Sequence, residues 1–266
     1  MSSISNISVG ASYAGNMAHK ARHEMNASIM RLSSGSRTVM GGDAAGQSIG
    51  NNLMARAKSH YVAARNAEDG ISALLTSEAA LNEIANLAYR VRELGIQADN
   101  AALLSSSMEV TALNTEVAAI YDTIQKIHNE VKFNEKAING TAAKTFSIGS
   151  SIDGTNNNTI QTNDAMTDAI EDFTTAADAE ASADLILTDV ALGLGHVAAG
   201  ISSLKGRQAV SYASAANLEA AASRILDTDY ARETANLTKN SVLNQSAMAM
   251  VAQANQAQSA ILAVMQ

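Results

Sequence analysis

His19 and His23 stand four residues apart in a helix-compatible stretch, a spacing that would let two imidazoles hold one metal ion from a single helix face. The rest of such a site is missing: no glutamate follows His19 as it would in a zincin motif, and no third ligand lies nearby. The GxG inside LGLGHVAAG, residues 192–200, has neither a preceding strand nor the third glycine of a dinucleotide-binding turn, so Gly193 and Gly195 read as close-packing positions in a helix. With five scattered histidines, no cysteine, and no P-loop or GxSxG pattern, the sequence predicts no enzyme, no metal site and no cofactor. The chemistry that remains is the packing of helices against one another.

The most informative stretch for that packing is residues 241–266, which carries no charged residue. Leu243, Ala247, Met250, Ala254, Ala257, Ile261 and Val264 recur there at alternating spacings of four and three, the a/d pattern of a coiled-coil seam. A surface helix normally carries charge on its solvent side, whereas this one carries neutral amides and hydroxyls, so it reads as complete only in an assembly. Amides such as Asn244 and Gln253 in its middle argue against a membrane span. At the other end of the sequence, Ile7, Ala11, Ala14, Ala18, Ala21, Met25 and Leu32 form a matching seam of mostly small residues. Residues 1–10 have neither a basic leader nor an apolar run, so no cleaved secretory signal is expected.

The elements between these helices must bring them together. The chain of 266 residues has a formal charge of -8, 47% hydrophobic and only 3% aromatic residues, and no proline. Its core is therefore built from Ala, Leu, Ile, Val and Met, and the commonest helix breaker is absent. The acidic balance, without clustered Lys and Arg, argues against nucleic acid. Gly35, Gly41 and Gly42 mark a joint, which Asp43 is placed to cap on its far side. A nearly unbroken helix follows over residues 47–102, about 80 Å at about 1.5 Å per residue. After a serine-rich turn at residues 105–107, Val110, Leu113, Val117, Ile120, Ile124, Ile127 and Val131 form the most regular seam, on a helix expected to fold back along the first. The pattern stops around Phe133, Asn134 and Gly140, and β-prone runs at residues 145–148 and 159–162 suggest a hairpin. Helical character resumes near Met166. A third long helix, with Leu187, Val190, Leu194, Val197, Ile201 and Leu204 on its seam, runs to Leu226 before a second joint at Asp227, Thr228 and Asp229.

The predicted fold class is mainly α: a long antiparallel helical rod or coiled-coil bundle with paired N- and C-terminal helices and a small β-hairpin. Two domains are expected, a discontinuous one of residues 1–42 plus 227–266, and a rod of residues 43–226 with a variable tip at about 138–172.

Several long stretches resemble bacterial flagellin, the subunit of the flagellar filament. They are RLSSGSR and GGDAAG within residues 31–46, ARNAEDGISALLTSEAALNEI and LAYRVRELGIQADN within 64–100, KFN at 132–134, and residues 217–266 throughout. The resemblance implies an exported structural subunit that polymerises with itself, alone or with related flagellins, into an extracellular filament used for swimming. It places the paired terminal helices in an inner layer lining the filament channel, and the rod in the tube around them. It also implies a cytoplasmic export chaperone, the flagellar type III export apparatus, and junction and cap proteins as partners. By the same resemblance, Arg90, Leu94 and Glu116 occupy the positions through which some members contact the vertebrate innate immune receptor. Arg90 and Leu94, four apart, fall on one helical face; the alternative reading makes Arg90 and Glu93 ion pairs between subunits and Leu94 a packing residue. Serines and threonines between residues 141 and 175 are candidate glycan carriers. Two alternatives stand beside it: a hook-filament junction protein, which has similar ends, and a membrane-active or signalling coiled coil, which would need a basic amphipathic face that the sequence lacks.

Overall fold

The computed structural model describes residues 2–39, 41–100, 107–140, 143–150, 157–162 and 176–265; within these, the side chains of residues 2–8, 107, 177, 261–262 and 264–265 are left out. Among the described residues the helices are α1 (Ser2–Ser34), α2 (Ala44–Asp99), α3 (Ser107–Glu130), α4 (Ala179–Leu226) and α5 (Tyr230–Met265). A 3-10 turn, Ala176–Asp178, leads into α4. The serine-rich turn expected at residues 105–107 and the start of helix expected near Met166 lie largely outside the described residues, as do most of the candidate glycan positions. The chain forms two compact units, residues 1–55 with 217–266, and residues 56–216. The joints read from the sequence, at 42–43 and 226–227, both fall inside the first unit.

In the first unit, α1 packs antiparallel to α5: Arg31 meets Glu233 at one end, and Gly10 and Tyr13 lie with Met250 towards the other. α1 stops because Gly35 adopts a φ of 69°, donating its N–H back to the Arg31 carbonyl at 2.9 Å, an αL helix cap. The chain then pairs with the segment that follows α4. Arg37 N donates to Leu226 O at 2.6 Å, Thr228 N donates to Gly35 O at 2.9 Å, and Ser36 bridges Asp227. Asp43 caps α2 by accepting the Gly46 N–H at 2.8 Å, as its position in the sequence predicts. It also pairs with Arg37 at 2.8 Å. These bonds hold its carboxyl below the usual range, the Gly46 amide contributing most and Arg37 next. Asp229 caps α5 in the same manner through the Arg232 N–H, at 3.1 Å.

The second unit is built around a core of α2, α3 and α4. Leu74, Leu81, Ile84, Val91 and Leu94 of α2 meet Leu113, Val117 and Ile124 of α3, and Ile186, Val190, Val197 and Leu204 of α4. The seven seam residues predicted within residues 110–131, six on α3 and Val131 just past its end, are all buried or half-buried. A β-branched row at alternating spacings of three and four leaves a helix only one face to bury.

Two small antiparallel ribbons complete this unit. β1 (Lys132–Phe133) pairs with β2 (Lys136–Ala137) across Asn134 and Glu135, whose φ values of 48° and 66° fit a type I′ turn. β3 (Thr145–Ile148) pairs with β4 (Asn158–Gln161), Thr145 opposite Gln161, at the runs expected from the sequence. Buried polar groups fasten them. The Ser77 hydroxyl of α2 lies 2.7 Å from Asn139 Oδ1 and 3.0 Å from the Thr162 carbonyl, and the Thr162 hydroxyl donates to Ile138 O. His128 is fully buried beside the Gly140 backbone, and desolvation pushes its imidazole below the ordinary histidine value.

Candidate assembly surface

The described seam residues of α1 all turn towards the interior of their unit. Ala18 and Ala21 are buried, and Ala11, Ala14, Met25 and Leu32 are half-buried. Small side chains there let the two helices approach closely. The side chain of Ile7 lies outside the described residues.

On α5 the inward row is not the most apolar one. Glu233 is buried, and Leu237, Asn240, Asn244, Ala247, Val251, Ala254 and Gln258 are half-buried, again at alternating spacings of four and three. Of the seam read from the sequence, Ala247, Ala254 and Ala257 are half-buried, while Leu243 and Met250 stand 49% and 64% exposed. Ile261 and Val264 have no described side chains. α5 thus carries two rows that share Ala247 and Ala254: one is turned inward, and the other puts its largest side chains into solvent.

Those exposed side chains edge a groove of about 640 Å³ between α1 and α5. Tyr13, 63% exposed, and Met17, 41% exposed, belong to its α1 side, with Leu243 and Met250 on its α5 side. Ala14, Ala21 and Ala247 also line it, and Lys20, Glu24 and Lys239 supply the charges. Chemically the groove can bind an apolar row, with the three charged side chains available to its rim. His19 and His23 are both exposed, and among the described residues no three His, Cys, Asp or Glu side chains gather as a metal site.

An ion pair fixes the opposite end of the α1–α5 pairing. Arg31 donates to Glu233 Oε1 from Nε at 2.9 Å, with its second nitrogen at 2.8 Å. Burial alone would raise the Glu233 carboxyl. The Ser28 hydroxyl, Arg31 and Asn236 around it outweigh that and hold it below the usual range. This pair was not legible beforehand, because its partners lie 202 positions apart.

In the second unit, Arg90 donates to Glu116 at 2.8 Å and to Glu93 at 3.1 Å, and all three are exposed. The Glu116 carboxylate is the main reason the guanidinium is pushed still higher. Leu94 is not presented with them: it is 1% exposed and belongs to the core. Residues four apart on a helix differ by about 40° around its axis, which is enough here to put Arg90 on the rim and Leu94 inside. Gly193 is buried, whereas a Cβ added to Gly195 would meet nothing within 4 Å, so among the described residues Gly195 is no close-packing position.

Comparison with known proteins gives two family matches. Residues 6–143 match the bacterial flagellin N-terminal helical region, and residues 193–265 match the bacterial flagellin C-terminal helical region. The flagellin of Halalkalibacterium halodurans is 32% identical over 244 residues, covering 87% of this chain and 88% of the relative. That of Bacillus subtilis is 31% identical over 268 residues, covering 85% and 88%. Flagellin A of Vibrio cholerae is 40% identical over 149 residues, covering 55% of this chain and 39% of the relative. The crystal structure of Bacillus cereus flagellin aligns with a TM-score of 0.39 at 21% identity, covering 58% of this chain and 88% of that one.

Proposed function

The chain belongs to the bacterial flagellins and is an exported structural subunit that polymerises into the flagellar filament; from that membership we propose that the groove between α1 and α5 is an assembly surface. The observation that carries the reading is the second row of α5. Leu243 and Met250, with Tyr13 and Met17 opposite, expose large apolar side chains that nothing among the described residues covers. Clustered exposure of this kind marks interaction sites. The occupant is the corresponding helix pair of a neighbouring copy, and Leu243, Ala247, Met250, Ala254 and Ala257 are the contact row on α5.

In this reading residues 1–42 with 227–266 form the inner layer lining the channel, and residues 43–226 the tube around it, in a filament used for swimming. The α1–α5 pairing is made of alanines on much of its α1 side and of amides beside a few apolar residues on its α5 side, which bury little apolar area, so contacts with neighbours supply much of its stability. Export runs through the flagellar type III apparatus, with a cytoplasmic chaperone masking the apolar row of α5 beforehand. Junction and cap proteins meet the same surface at the ends of the filament. An innate immune receptor reading the second unit would meet Arg90, Glu93 and Glu116, with Leu94 contributing only by holding α2 in place.

Seeded polymerisation tests the assembly surface, comparing the full chain with Met250→Glu and with a truncation ending at Asn240. Met250 is exposed, so the variant keeps the monomer's helicity. A charge buried in the copy-to-copy contact should raise the critical concentration by about tenfold or more. The truncation should not polymerise. Met250→Glu filaments that elongate at the wild-type critical concentration would remove the groove from the assembly.

A further inference from the structure

α4 has two faces of similar spacing and opposite fate. Its inner row, which includes Ile186, Val190, Val197 and Leu204, is buried in the core. Its outer row is also largely apolar or small: Leu192, Gly195 and Ala199, and beyond Ser202 and Ser203 also Gly206, Val210 and Ala213, keep to spacings of three and four and are all exposed, Leu192 by 50% and Val210 by 65%. The helix is long and apolar enough, by length and composition, to cross a membrane, yet only 28% of its most apolar window is buried. The core therefore explains one face of α4; on the other, Ser203 bonds Asn158 of β4 at 2.8 Å, and the apolar and small residues on either side of it stay exposed.

The glycines sharpen the point. Glycine inside a helix is destabilising relative to alanine, so it needs a reason to be there. Gly95 and Gly200 have one, since an added Cβ would fall 2.7 Å from the Glu180 backbone and 2.9 Å from a Leu74 methyl respectively. Gly195 and Gly206 have none among the described residues: an added Cβ at either meets nothing there within 4 Å. Something outside the chain that comes close to the α4 backbone would supply the reason.

We propose that in the filament the outer face of α4 receives the outer row of α2 from a second copy. This inference rests on the chain's being a filament subunit. It follows from symmetry: a patch that pairs with itself closes a dimer, whereas two different patches on one subunit propagate an open helical array. α2 supplies the complement. Leu75, Tyr89 and Ile96, spaced by multiples of seven on one stripe, are 52%, 56% and 51% exposed. They form a row of large side chains to set against a row of small ones. Arg90 and Arg92 beside Tyr89 are already paired within the chain, with Glu93 and Glu116 and with Glu180 and Asp184, which leaves exposed Glu83 on the α2 side to face the two exposed cations that flank Gly206, Lys205 and Arg207. The same two cations disfavour burial of α4 in a bilayer.

The test compares Gly195→Leu and Gly206→Leu with wild type in full-length chain. Leucine favours helix and has open space at both sites, so the thermal midpoint of the monomer should hold or rise by about a few degrees. The critical concentration for elongation should rise by about tenfold or more. Unchanged elongation overturns the proposal. Because the chain has no cysteine, copies carrying Gly206→Cys can be mixed with copies carrying Leu75→Cys or Tyr89→Cys and oxidised after assembly. Mixed disulfides found in polymer and not in monomer fit an α4-on-α2 contact. Gly206→Cys copies that link only to one another, or wild-type protein that sediments with phosphatidylglycerol vesicles and loses this in Gly206→Leu, overturn it. If Met250→Glu blocks assembly and the glycine variants do not, this inference alone falls; if wild type does not polymerise, the function reading falls and takes this one with it.

Discussion

Leu94 is where the residue scale is most decisive. Its family position suggests a surface contact, and its 1% exposure makes it a core residue. Leu94→Ala should therefore destabilise the second unit by about 2 to 5 kcal/mol through the cavity it leaves, read as a lowered midpoint in chemical denaturation. An unchanged midpoint would return Leu94 to the surface. Glu233 carries the second residue-scale prediction. Its carboxyl is held below the ordinary 4.5, so folding gains from its ionised form. A depressed acid contributes fully above its unfolded value and loses that contribution as pH falls through the lower folded one. The lowest-melting helical transition should thus weaken below about pH 4.5, and Glu233→Gln should lower it at neutral pH while flattening this part of its acid profile. Parallel acid profiles for variant and wild type would show that the Arg31 pair does not support the α1–α5 pairing.

At the scale of elements, legibility followed the contrast between a helix's faces. On α3 the Val and Ile row contrasts with polar neighbours, and the structure buries that row. On α5 Asn240, Asn244 and Gln258 turn inward while Leu243 and Met250 turn out, so ranking positions by apolarity selected a row about one position round the helix from the inward one. Only Ala247 and Ala254, common to both rows, were insensitive to the difference. On α4 the inner seam was legible, but the outer one was hidden because Gly and Ala carry little hydropathic signal. The β1–β2 ribbon was seen only as a break, since its turn uses Glu135, not glycine, at a positive φ. Gly95 provides the element-scale prediction. Gly95→Ala should force α2 and the start of α4 apart, because the clash is with backbone 2.7 Å away. The net loss should be about 1 to 2 kcal/mol after the helix-propensity gain, measured as a lower thermal midpoint of the second unit. A stabilised variant would mean that the α4 backbone yields freely there.

For the whole molecule, the division into units was legible only in outline. The likeness between the two ends of the sequence announced that they belong together, but the bonds that join them could not be read from spacing. Those bonds span most of the chain: Arg31 to Glu233 closes 202 positions and Arg37 to Ile225 closes 188. Ties in the second unit close shorter loops, such as 26 positions for Arg90 to Glu116 and 62 for Ser77 to Asn139. Loop closure costs entropy that grows with length, and contacts between distant residues form late. Once residues 56–216 fold, they hold the strands of chain at either side within one body and shorten the loop left to close. The order of events is thereby written into the connectivity. The inserted unit is therefore expected to form first, and the unit that pairs α1 with α5 last, when both helices have been delivered, whichever end of the chain arrives first.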